Sequence, residues 1–202
     1  QVEGFDSMLA LSEYDHMESL DAFQKGWIQV QDISSALVGE LAAPEKGSYI
    51  IDVCAAPGGK SLHLADKMEG TGCVEARDLT YQKVALIEEN ASRMGALNIK
   101  AVQWDATEFD PESENKADLV IADLPCSGLG IIGRKPDIKY HTTKENLREL
   151  SKLQKEILSV VWKYVKPGGR LIYSTCTINI SLTNMNWMII AFFYTTSFLC
   201  KV

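Results

Sequence analysis

Two short stretches hold a thiol beside groups that can work with it. Asp123-Leu124-Pro125-Cys126 sets a carboxylate three residues before a cysteine, and Tyr173-Ser174-Thr175-Cys176-Thr177-Ile178-Asn179 carries a second cysteine. A thiolate can add to an electron-poor carbon and later be eliminated, which splits one difficult step into several easier ones. Carbon 6 of a pyrimidine is such a carbon, and addition there turns carbon 5 into a nucleophile. Enzymes that modify exocyclic amines of nucleic acids need no such addition, and they carry an aromatic residue where Cys126 stands. An ordinary thiol has a pKa of about 8.5 and is mostly protonated at neutral pH. Asn179, capping a following helix near Cys176, would favour the thiolate. The plainer reading is that a buried cysteine behaves as a small apolar residue and needs no role. The chemistry alone leaves open which of the two thiols attacks.

A third stretch, Asp52-Val53-Cys54-Ala55-Ala56-Pro57-Gly58-Gly59-Lys60, is a glycine-containing strand-to-helix turn. Small residues let a ligand approach the backbone, and a helix N-terminus offers free N–H groups to a phosphate or a carboxylate. Cys54–Ser61 also matches a phosphate-binding loop, G-x-x-x-x-G-K-[ST], except that Cys54 replaces the first glycine. That glycine makes the tight turn around a phosphate. Asp78 follows the turn at the distance of a ribose-binding acid, or else it caps a helix near Thr80. Asp105 can accept from an adenine amino group, or else it forms a turn. A carboxylate-binding turn, a ribose acid and an adenine acceptor together describe S-adenosylmethionine better than a dinucleotide.

The elements that position these groups alternate. Tyr49–Cys54, Cys73–Ala76, Ile99–Trp104, Asp118–Ala122 and Arg170–Ser174 read as five buried strands, and Asp78, Asp105 and Asp123 follow three of them. Lys60–Met68, Lys83–Met94 and Leu147–Val165 read as helices, the second stopped by Gly95 and the third by Pro167-Gly168-Gly169. Upstream, Gly26–Asp32 reads as a short strand, and Asp32 caps a helix over Ser34–Leu41. Alternating strands and helices imply an α/β fold, a mostly parallel, doubly wound sheet. In the order 3-2-1-4-5, ligands bind beyond the carboxyl ends of the strands at the switch point. Cys54–Lys60, Asp123–Cys126 and Cys176 should then gather along one edge.

Composition restricts the setting. The chain has 202 residues, 46% hydrophobic and 23% charged, which suits one domain with a real core. Five cysteines at irregular spacing form neither a metal-ligand motif nor a disulfide framework, and the three histidines form no metal set or triad. Cys54 and Cys73 read as packing residues. No signal peptide is evident, and Trp187–Phe193, the most apolar run, is too short to cross a membrane, so a cytoplasmic protein is expected. The net charge of −7 argues weakly against a nucleic-acid partner. The distribution argues the other way. Residues 1–45 hold nine acids against one lysine, whereas residues 133–155 hold seven Lys or Arg against three acids. That basic segment is either a solvated helix face or a phosphate-binding patch.

The motifs Cys54–Lys60, Asp123-Leu-Pro-Cys-Ser-Gly128, Arg134-Lys-Pro-Asp-Ile-Lys139 and Ser174-Thr-Cys-Thr177 resemble those of the Sun-type RNA cytosine-5 methyltransferases. Phe23, Gly26, Val30-Gln31-Asp32 and Ser34-Ser35 resemble the family's lead-in segment, so the likeness runs from about Phe23 to Asn179. It implies a Rossmann-like class I S-adenosylmethionine-dependent methyltransferase that acts on carbon 5 of cytosine in RNA, either rRNA or tRNA. It divides the chain into an acidic segment 1–22, a catalytic domain 23–180 and an apolar tail 181–202. It assigns Cys54, Ala55, Ala56, Pro57, Gly58, Gly59 and Lys60 to the amino-acid end of the cofactor, Asp78 to its ribose and Asp105 to its adenine. Asp123 falls near the methyl donor and the target base, Cys176 becomes the nucleophile, and Cys126 assists product release. Arg134, Lys135 and Lys139 become a patch for single-stranded or loop RNA, and no metal is implied. Ile180-Ser181-Leu182-Thr183 departs from the acidic family pattern, so the last strands are expected to be lacking or altered. Two other readings are carried forward: a cofactor- or RNA-binding module without turnover, and a phosphate-loop nucleotide triphosphatase.

Overall fold

The computed structural model describes residues 2, 4, 5, 8–13, 16–127 and 143–175, together with the backbone of 192 and 193. Its helices are α1 (Asp21–Gln24), α2 (Ile33–Ala42), α3 (Gly59–Lys67), α4 (Tyr81–Met94) and α5 (Lys144–Val161). Its strands are β1 (Tyr49–Asp52), β2 (Cys73–Asp78), β3 (Ile99–Gln103), β4 (Ala117–Asp123), β5 (Val165–Thr175) and β6 (Phe192–Phe193). They form one parallel sheet in the order β3-β2-β1-β4-β5-β6. The expected order of the first five strands is the observed one. Phe192–Phe193 adds a short parallel strand on β5, opposite Ser174 and Thr175.

Period-two patterning builds two cores. Ile50, Val74, Leu119, Ile121 and Ile172 face the side covered by α2 and α3, where Val38, Ala42, Leu64 and Met68 close the layer. Ala76 and Ile87 extend this side under α4. Ile51, Val53, Val120, Ala122 and Tyr173 face the other side, against Ile157, Leu158 and Val161 of α5. The central strands β1 and β4 are therefore covered on both faces, which is why apolar runs rather than alternating ones encode them.

The helix starts follow cap chemistry. Asp32 accepts from Ser34 N–H at the start of α2, Thr80 from Lys83 N–H at α4, and Thr143 from Asn146 N–H at α5. The second cap belongs to Thr80, not Asp78. Gly95 ends α4 in the left-handed region, at φ 67°.

Two expectations are corrected. Gly26–Asp32 forms no strand. Arg93 of α4 donates to the carbonyls of Phe23 and Ile28 and to the Gln29 side chain, and this holds the segment as an irregular strap. Gly26 (φ 71°) allows the close approach, because a Cβ there would lie 2.0 Å from the Arg93 carbonyl oxygen. The Leu147–Val165 helix starts earlier and stops at Val161. Pro167-Gly168-Gly169 lies inside β5, where the pairing with β4 shifts register between Ala117 and Leu119.

Candidate active site

The carboxyl ends of β1, β2 and β4 meet at the switch point. The chain leaves β1 through a turn tied to both neighbours: Val53 N–H donates to Ile121 O (3.0 Å), and Ala55 N–H to Arg77 O (2.8 Å). A cis Ala56–Pro57 peptide follows, and Gly58 at φ 101° opens α3. Only glycine takes that conformation readily. A Cβ added at Gly59 would meet nothing within 4 Å, so the start of α3 faces open space.

Asp78, 3% exposed, closes the β2 side. Its carboxylate accepts from Ala56 N–H (3.0 Å) and Leu79 N–H (2.8 Å), and it pairs with Lys83 Nζ at 3.0 Å. Asp105 lies one residue beyond Trp104, whose N–H donates to the Asp78 carbonyl (2.9 Å). One Asp105 oxygen accepts from the N–H and hydroxyl of Thr107, so the residue does form the turn considered for it.

Asp52 at the end of β1 is fully buried. Its Oδ2 accepts from the Ser61 hydroxyl (2.7 Å), while Oδ1 has no partner among the described residues. Burial pushes its pKa up to about 6. The neighbouring Cys54 thiol is pushed up to about 12, by burial first and then by the Asp52 and Asp78 charges. Cys54 is a free, protonated thiol, as is suited to packing.

On the β4 side, Asp123 joins three elements. Lys60 Nζ donates to its Oδ2 at 2.6 Å, and the Ser174 hydroxyl donates to its Oδ1 at 2.7 Å. Lys60 also donates to the Ser35 hydroxyl of α2 (3.2 Å). Asp123 pairs with Ser174 in the β4–β5 register, so both chain segments leave the sheet side by side. Past Asp123, Gln154 of α5 donates to Pro125 O (2.8 Å) and accepts from the Tyr173 hydroxyl (3.2 Å). Cys126 is half-buried and disulfide-bonded. Cys176, Arg134, Lys135 and Lys139 lie outside the described residues.

The structure thus brings Asp78 and Asp123 into contact with the Cys54–Lys60 turn, while Asp105 and Cys126 follow strands that end at the same sheet edge. Sequence reasoning missed Ser35, Ser61, Lys83 and Gln154 as their partners. Gln154 had a signal, because it interrupts the apolar face formed with Ile157, Leu158 and Val161. The others had none beyond proximity in the fold.

A parallel sheet in this order, with a glycine turn at its switch point and acids at its strand ends, is the Rossmann-like architecture of class I methyltransferases. The chain belongs to the family described as 16S rRNA methyltransferase RsmB/F, whose model matches residues 40–196. It is 43% identical over 158 residues to a Bacillus subtilis (strain 168) protein named "Probable ribosomal RNA small subunit methyltransferase B", covering 78% of this chain and 35% of that one. It is 34% identical over 177 residues to ribosomal RNA small subunit methyltransferase B of Enterobacter sp. (strain 638), covering 87% and 41%. The chain therefore spans less than half the length of both relatives. Among solved structures, NSun6 from Pyrococcus horikoshii with SFG superposes with a TM-score of 0.75 at 33% identity, covering 82% of this chain and 42% of that one.

Proposed function

We propose that this chain transfers a methyl group from S-adenosylmethionine to carbon 5 of cytosine in RNA through a covalent cysteine–cytosine adduct. The observation that carries this reading is the convergence of the Cys54–Lys60 turn, Asp78 and the Asp123–Cys126 segment on one sheet edge. Rossmann-like sheets hold their ligands at that edge. The open space at Gly59 and the unpartnered Asp52 Oδ1 fit a cofactor with a polar amino-acid end.

When bound, the cofactor supplies an electrophilic methyl group on a sulfonium. The Cys54–Lys60 backbone would hold its amino-acid end, Asp78 would accept from its ribose hydroxyls, and Asp105 would border its adenine. The Cys176 thiolate adds to carbon 6, which makes carbon 5 nucleophilic toward the methyl group that the cofactor would supply. Loss of the carbon 5 proton to water restores the ring double bond, the Cys176–carbon 6 bond breaks with its electron pair returning to sulfur, and Cys126 assists that release. Asp123, held by Lys60 and Ser174, faces the base. Cys126 acts as a thiol, so its disulfide must first be reduced, as a cytoplasmic setting would ensure. The target base must leave its stack, which favours single-stranded or loop RNA bound at Arg134, Lys135 and Lys139.

The nucleotide-triphosphatase reading loses its support. A phosphate loop needs its lysine and hydroxyl free for the ligand. Here Lys60 is paired with Asp123, and Ser61, wholly buried, is committed to Asp52.

The test is transfer of label from methyl-tritiated S-adenosylmethionine to RNA under reducing conditions, with nucleoside mass spectrometry of the product. The reading expects 5-methylcytidine. Label on an exocyclic amine, or cofactor binding without transfer to any RNA, would overturn it, and the second outcome would leave a binding module.

A further inference from the structure

α5 divides its solvent-facing charges by sign. Lys144, Arg148, Lys152 and Lys155 recur at spacings of four, four and three, so they line one edge, and all are exposed. Glu145, Glu149 and Glu156 are also exposed, but they fall about one residue further round and form a separate edge. Glu145 stands three residues before Arg148, and Lys152 three after Glu149 and four before Glu156, but Lys144 and Lys155 have no acid at such spacing within α5. The cationic line extends about 16 Å. It stands out on a chain of net charge −7.

The placement of this edge is fixed. Gln154, on the opposite face, is hydrogen-bonded to Pro125 O and to the Tyr173 hydroxyl, which bolts the helix to the Asp123–Cys126 segment. β4 and β5 are parallel, so α5 must return from the carboxyl edge of the sheet to its opposite edge. Lys152 and Lys155, within two residues of Gln154, therefore flank the Asp123–Cys126 segment, and Lys144 lies about 15 Å further out along the helix on the carboxyl side.

We infer that the Lys144–Arg148–Lys152–Lys155 edge of α5 is a track for the phosphodiester backbone of the RNA as it runs out of the site. This rests on the RNA reading above. Contacts of this kind fix the position of the strand without reading its sequence. They also make binding salt-dependent, with a slope of about 0.7 per phosphate neutralised on a single strand.

The test compares the wild-type chain with the Lys152→Gln/Lys155→Gln double variant. Binding of a fluorescent, cytosine-containing single-stranded RNA oligonucleotide is measured by anisotropy across a potassium chloride series. Loss of two contacts should flatten the log–log slope by about 1.4. Thermal melting and S-adenosylmethionine affinity should be unchanged. The Glu149→Gln/Glu156→Gln variant, made on the acidic edge, should keep the wild-type slope. An unchanged slope in the lysine variant, while wild type still binds and methylates RNA, overturns the track alone. Wild type that does not bind RNA overturns the RNA reading with it. Salt-dependent binding to phosphatidylserine vesicles that needs Lys152 and Lys155, with an unchanged RNA slope, would assign the edge to lipid and overturn the proposal.

Discussion

Two clusters of this molecule use the same residue types to opposite ends. On the α5 side of the sheet, Arg77 (3% exposed) is held by Glu75, Asp110 and the Ser113 hydroxyl, and its plane is covered by the Trp104 and Tyr164 rings. Lys100 adds a second cation to Glu75. Each carboxylate there keeps its pKa lowered despite burial: Lys100 and Arg77 outweigh desolvation at Glu75, and the Ser113 hydroxyl and Arg77 outweigh it at Asp110. At the carboxyl edge, by contrast, Lys60 and Asp123 keep 15% and 35% of their side chains exposed. The first cluster is closed and ties β2 to the lead-in of β4. The second is left open toward solvent, as a site that must exchange partners requires. A buried charge pair alone therefore does not mark a site. What marks it is charged side chains left partly open to solvent at a switch point.

The contrast can be broken at its strongest point first. Arg77→Ala should cost about 3–5 kcal/mol, because it breaks a buried ion pair, leaving Glu75 with Lys100 alone and the half-buried Asp110 without a cation. Urea denaturation reads this, and a loss below about 1 kcal/mol would remove the distinction between the clusters. Asp52→Asn should act in the other direction. The folded pKa of Asp52, about 6, lies above an unfolded value of about 3.9. The folded state then holds the extra proton between those values, and stability falls as pH rises through that window. Asparagine escapes this penalty, so Asp52→Asn should stabilise the chain at pH 8 by up to about 3 kcal/mol, a gain that vanishes by pH 4. Thermal melts at the two pH values check the sign.

Lys60→Met sharpens the comparison from the functional side. A pair that is partly open to solvent is worth about 1 kcal/mol to stability. Methyl transfer should nonetheless drop about tenfold to a hundredfold, as for loss of a charged hydrogen bond. Equal losses of stability and activity would make Lys60 a structural residue. Ser35→Ala should have the smallest effect, a few-fold fall in transfer at unchanged melting temperature, from loss of one neutral acceptor to Lys60.

Much of this arrangement could be read from the residues. Strand order and the convergence of the Cys54–Lys60 turn with Asp123 followed from buried apolar runs separated by helices, because period and chirality restrict such a sheet to few topologies. Gly26–Asp32 was misread because its apolar residues suggested a strand. Its carbonyls are instead taken by Arg93, a partner 65 residues from Ile28. Pro167-Gly168-Gly169 was misread as a helix stop followed by a gap. β5 absorbs it because Gly169 can lie against the Ala117 and Asp118 carbonyls, where a Cβ would come within 3.0 Å. The partners of the site residues, Ser61 beneath Asp52 and Ser35 beside Lys60, depend on how helices stack on the sheet. Only Gln154 betrayed itself, as a polar residue on an apolar face.

The central claim is a division of labour between two sulfurs, and trapping tests it most directly. RNA, S-adenosylmethionine and reductant are incubated with each single-cysteine variant and run on a denaturing gel. The account predicts a slow-migrating covalent RNA complex with Cys126→Ala, and neither complex nor methylation with Cys176→Ala. A complex formed by Cys176→Ala but not by Cys126→Ala would contradict it.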